Sequence, residues 1–187
     1  GADAIATAGS EEKCAACVRL RIVGTAGSVP ALAGLLGEER TSQAARYALE
    51  GMPFPEAVAA MRQALGQNSG LIKAGLIDSL GWRRDAAAVP LLVPLLSGTD
   101  TAVASPAASA LGKIGSKDAI AALTSARDTA APAIQRVVLE SLVQCAERLL
   151  AGGDDGFGCV DRDVACRALR RSHSFFHPDH RRDAVGE

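Results

Sequence analysis

The sequence predicts an all-α protein built as a solenoid of stacked helical hairpins, on three observations: its composition, a repeat of about thirty-one residues, and the turns inside each repeat. Among 187 residues stand 37 Ala and 20 Leu against 3% aromatics, with few β-branched residues. Ala and Leu are strong helix formers and poor guides to a sheet. The apolar content of 48% with a net charge of -1 excludes a disordered polymer. The repeat is anchored on Leu20, Leu49, Leu80, Leu111 and Leu142. Four residues before these stand Ala16, Ala45, Leu76, Ala107 and Val138. Nine after the first four come Val29, Val58, Val89 and Ile120, and twelve after them Leu32, Met61, Leu92 and Leu123. Sixteen after come Leu36, Leu65 and Leu96, with Arg127 breaking the column.

The offsets define the elements. Positions -4 and 0 lie one helical turn apart, and +9, +12 and +16 form a second helical stripe. Between them lie Val23–Gly27, Gly81–Asp85 and Gly112–Ser116, read as turns in which Gly ends the first helix and Asp or Ser caps the second. Helices of roughly 10 to 13 residues are too short to stand alone in water, so they must stack on their neighbours. The units read as 11–39, 40–68, 69–99, 100–130 and a partial fifth over 131–150, after a flexible N-terminal segment over 1–10. Pro30 and Pro90 fall early in a second helix, where a missing N–H matters least. Pro106, which shares a column with Gly75, is expected to bend a first helix. Pro94 has no evident role. From about 152 the columns vanish and Gly152–Gly156 interrupts the expected helix. The tail over 151–187 reads as an atypical cap, a linker or the product of a frameshift, with a short helix around 161–171. An opening Gly1 fits a processed product or a piece of a longer chain.

The stretches Gly81–Leu92 and Leu111–Leu123 resemble the HEAT family, in its short phycobilisome-lyase form. The resemblance covers about 11–150. It implies a right-handed α-solenoid of about four and a half HEAT-like hairpins, used as a non-enzymatic scaffold for protein–protein contacts. Ala44–Glu50 is similar to arrays within large bacterial, often envelope-associated, proteins. This implies an alternative: a spacer segment of a larger enzyme, perhaps a redox protein. A bilin lyase is a third reading.

No residue pattern supports chemistry. The HEAT-type deoxyhypusine hydroxylases hold iron with His-Glu pairs, and here no His precedes His173. The lyase resemblance carries no catalytic residue onto this chain. Cys14-Ala15-Ala16-Cys17 lacks the His of a haem site and the second ligand pair of a zinc site. Column positions make Cys17 a core residue and Cys14 a partly exposed one. His173 and His177 would share a helix face, but Pro178 interrupts the helix before His180. Neither a phosphate-cradling Gly-rich loop nor a nucleophile with nearby His occurs. The expectation is therefore no enzyme, no cofactor and no metal.

The expected partner is a protein, or another domain of the same chain. Balanced charge, 20 Lys+Arg against 21 Asp+Glu, argues against nucleic acid, and no run is long enough to span a membrane. The odd count of five cysteines argues against a disulfide framework and leaves a soluble cytoplasmic or periplasmic setting. Two surfaces are candidates. Outward columns of the second helices offer Arg62, Gln63, Val93 and Thr124, on an otherwise small-residued wall. The turn edge offers Trp82, Arg83 and Arg84, where an aromatic beside arginines could anchor an acidic surface.

Overall fold

The computed structural model describes residues 8–151. Most of the N-terminal segment and the tail, with all three histidines, Cys159 and Cys166, lie outside the described residues. Nine α-helices and no strand occur among the described residues. The first helices are α1 (Ser10–Val23), α3 (Ser42–Gly51), α5 (Gly70–Trp82), α7 (Thr101–Ile114) and α9 (Pro132–Ala151). The second helices are α2 (Val29–Ala33), α4 (Pro55–Gln67), α6 (Val89–Leu92) and α8 (Lys117–Ala126). Each first helix packs on the next one in the chain, which makes one layer, and the second helices form the other. None of the described helices is long and apolar enough to cross a membrane.

The repeat columns are the core. Val29, Val58, Val89 and Ile120 are all buried, and Leu32, Met61, Leu92 and Leu123 lose all contact with solvent. Leu49, Leu80 and Leu111 are equally enclosed. Leu20 is only half-buried, because no described first helix precedes α1. The sequence reads of Cys17 and Cys14 hold: the first is buried and the second partly exposed.

Local chemistry starts and stops these helices. The Gly9 N–H at the head of α1 donates to the Glu12 carboxylate at 3.1 Å. Pro55 opens α4, where its missing N–H has no intrahelical partner to lose. Asp100 accepts from the Ala102 N–H at 2.9 Å to cap α7. Ser116 does the same for α8 with the Ala119 N–H at 3.3 Å. Gly115, at φ 60°, ends α7 in the left-handed conformation that glycine tolerates.

Two expectations need correction. Gly81 and Gly112 are not turn residues but buried parts of α5 and α7, which run on to Trp82 and Ile114. A Cβ at Gly81 would lie 2.8 Å from Ala110 Cα, and one at Gly112 would lie 2.8 Å from Ser141 Cβ. These glycines serve close helix approach. The end of α5 instead uses Arg84 at φ 51°, with Arg84 N–H bonded to Gly81 O at 3.0 Å and Asp85 N–H to Leu80 O at 3.1 Å. This is a Schellman stop with arginine at the position glycine prefers.

Next, two second helices are shorter than their spacing implied. α2 spans 5 residues and α6 spans 4, the latter passing into a 3-10 segment over Val93–Ser97. Pro94 explains the change, since it has no N–H for an α-helical bond and its ring crowds the carbonyl four residues back. In the first unit, Leu35 N–H and Leu36 N–H reach the carbonyls three residues back, Leu32 and Ala33, both at 3.1 Å. Leu36 and Leu96 stay buried all the same, so the column survives a change of helix type. Pro106 lies inside α7, which runs as one helix from Thr101 to Ile114.

Two neighbouring substitutions should act in opposite directions. Gly81→Ala gains about 1 kcal/mol of helix propensity but overpacks against backbone by roughly 1–3 kcal/mol, so a net loss is expected. Arg84→Gly relieves a left-handed residue and should gain about 1 kcal/mol. Urea midpoints at unchanged slope measure both. A stabilised Gly81→Ala protein would mean that α5 and α7 are not in such close contact.

Candidate functional site

The outward wall of the second helices is less free than its sequence implied. Arg62 bridges across units to Asp85 at 2.6 Å, the two side chains being 29% and 12% exposed. Thr124 is half-buried and donates its hydroxyl to Ile120 O at 2.8 Å. Gln63 and Val93 are exposed, so this wall keeps one long polar side chain with no hydrogen bond among the described residues.

The turn edge is also tied together. Arg83 Nη1 donates to Glu50 O, in the last turn of α3, at 3.0 Å. Arg148 Nη1 likewise reaches Lys113 O and Gly112 O, in the last turn of α7. A basic side chain from the following unit thus satisfies carbonyls that a helix end leaves unpaired, and favours the negative end of the helix dipole. Arg84 stays exposed. Trp82 is 67% exposed, with the Lys113 ammonium 5.0 Å from its ring centroid. Lys113 also pairs with Asp78.

Trp82 borders a feature that the sequence reading missed. A trough of about 590 Å³ lies over α3, with α1 and α5 as its walls. Its shape follows from lengths and side chains: α3 has 10 residues against 14 in α1 and 13 in α5, and Ala44 and Gly75 leave its floor low. Cys14, Arg40, Gln43 and Arg46 line it, with Tyr47, Glu50, Asp78 and Trp82 toward the C-terminal end of α3. The Arg21 guanidinium lies 4.0 Å from the Tyr47 ring centroid and its Nη1 donates to the Tyr47 hydroxyl at 2.9 Å.

Arg46 governs the trough. It occupies the -3 column, where Cys17, Ile77 and Ala108 are buried and apolar. Its Nη1 crosses to α5 and donates to Gly75 O at 3.0 Å and Ser79 Oγ at 3.2 Å. Glycine opposite leaves room for it: a Cβ at position 75 would lie 2.4 Å from Arg46 Cζ, so any larger residue there would displace the guanidinium. Arg46 Nε is buried without an acceptor. Desolvation lowers the Arg46 pKa, and the nearby Glu50 and Asp78 charges oppose that shift. A signal was available: one charged residue in an apolar column, facing a glycine 29 positions on.

The cysteines are separate thiols. Among the described residues Cys14, Cys17 and Cys145 are free, and no three of His, Cys, Asp and Glu gather to hold a metal. Burial pushes the Cys145 thiol up to about 11, partly offset by Arg148, and its sulfur contacts Gly112 O at 3.5 Å. Burial likewise raises Cys17, with the Cys14 charge adding to it.

With this geometry established, residues 58–143 match the family model described as HEAT repeats. Over that stretch the chain is similar to HEAT repeats in their general form, in keeping with the stacked hairpins. No curated protein matches the sequence. HEAT repeats typically act as protein-interaction scaffolds, presenting an extended surface rather than a reaction centre.

Two measurements test the site. Arg62→Ala and Asp85→Ala in a double-mutant cycle should show a coupling of about 1 kcal/mol in folding stability; additive effects would mean that the bridge does not form. Iodoacetamide on the native protein, followed by peptide mapping, should label Cys14 well ahead of Cys17 and Cys145, whose thiolates burial suppresses. Equal labelling would contradict the packing of α1 and α9.

Proposed function

We propose that this chain is a non-enzymatic scaffold that binds a protein partner, or another domain of the same chain, through the first-helix face around Trp82. One observation carries this reading: the trough over α3 brings the sole Trp and the sole Tyr to one recess beside a half-buried Arg. Trp, Tyr and Arg dominate binding hot spots, and they do so where a pocket desolvates them. The second-helix wall offers small residues, with Arg62 and Thr124 engaged internally, so it supplies complementarity at most. Rings held by Arg21 and Lys113 keep fixed orientations, which lowers the entropy lost on binding.

Capture of partners from the source cells by wild-type protein, Trp82→Ala and Gln63→Ala tests the assignment. Trp82→Ala should weaken capture at least tenfold while helical circular dichroism is unchanged, and Gln63→Ala should not. Loss with Gln63→Ala alone would move the binding surface to the second-helix layer.

A further inference from the structure

We infer that the trough over α3 receives a single acidic side chain of a protein partner, next to an apolar or aromatic residue, with Arg46 and Arg40 facing the carboxylate and Trp82 and Tyr47 facing its neighbour. This deepens the proposed scaffold role and rests on it.

The arginines argue for a carboxylate. Among the described residues Arg46 has acceptors for Nη1 alone. Its Nε is buried and unpaired, a state that loses free energy until an acceptor is supplied. Neither acid nearby supplies it. Asp78 is held by Lys113, and Glu50, one turn along α3, influences Arg46 only through space. Because Nε is enclosed, Nη2 is the donor left to meet a carboxylate in a charge-assisted bond. Arg40 is exposed, and while its carbonyl accepts from Cys14 Sγ at 3.6 Å, its side chain has no hydrogen bond or ion pair among the described residues. It stands just before α3, where the dipole of that helix also favours a negative group.

The opposite end argues for an apolar neighbour and against a second acid. Glu50 and Asp78 stand there, so a run of acidic residues would meet like charge. A basic residue finds both rings and Asp78 already engaged, Tyr47 by Arg21 and Trp82 and Asp78 by Lys113. Beside the Glu50 carboxylate, what remains open is the uncovered ring surface. Access is eased by the seam itself: α3 and α5 make the sparsest contact of any neighbouring first helices, whereas α5 and α7 make the most extensive. The trough can widen there without disturbing a tightly packed pair.

Selection of a randomised displayed peptide library, with blocked C-termini, on the full chain tests the inference, followed by calorimetry of the selected peptides. The peptides should share one Asp or Glu beside an aromatic or Leu. Arg40→Glu, an exposed and unpaired position, should weaken them about tenfold or more, and a peptide with Lys in place of the acid should prefer that variant. Arg46→Gln should weaken them as well, with circular dichroism confirming the fold. If binding is lost in Trp82→Ala but is indifferent to Arg40→Glu and to Asp→Asn in the peptide, the surface stands and this inference falls. Peptides that ignore Trp82→Ala, or the absence of any binder, overturn both. Binding that needs a free C-terminal carboxylate overturns the side-chain assignment.

Discussion

How closely one first helix can approach the next decides most of this structure. Where the facing residues are small, the backbones meet: Gly81 on Ala110 and Gly112 on Ser141 bring α5, α7 and α9 together with no room for another carbon. Dispersion and burial then act along whole helices that would be unstable alone. Where one residue is large and charged, approach fails. Arg46 needs the space above Gly75, and the α3–α5 seam stays sparse around it. The trough lies at that seam, over the shortest of the first helices.

The same misfit links packing to function. A solenoid gains stability from nearest-neighbour interfaces, so a weak seam lowers local stability without unravelling the other units. Arg46 is partly compensated by Gly75 O and Ser79 Oγ, which holds it in place, yet one side of its guanidinium lacks an acceptor. Polar groups left incomplete in native interiors call for an explanation. Here the incomplete group borders a recess with exposed aromatic residues, and recognition of another protein is the reading that uses all of these features together.

The fold was legible in the sequence because burial repeats. Every member of the +9 and +12 columns is buried as its spacing required, and Leu96 of the +16 column stays buried where Pro94 turns a helix into a 3-10 segment. Glycine misled, since Gly81 and Gly112 near a helix end read as stops when they are contact points within helices. The candidate site was legible only in part. Trp82 was found as an exposed aromatic, but Arg62 and Arg83 looked free because their partners, Asp85 and the Glu50 carbonyl, sit 23 and 33 residues away. Pairings across units depend on how turns orient, which a column of residue types does not encode. Arg46 was visible in its column and carried no meaning until Gly75 was placed opposite it.

Native-state hydrogen exchange tests the central claim most directly, since it reads local stability seam by seam. Slowest exchange is expected in α7, which is packed between α5 and α9, with markedly faster exchange in α3. Uniform protection across the first helices, or α3 outlasting α7, would contradict a stack that is tight at its glycines and loose at Arg46.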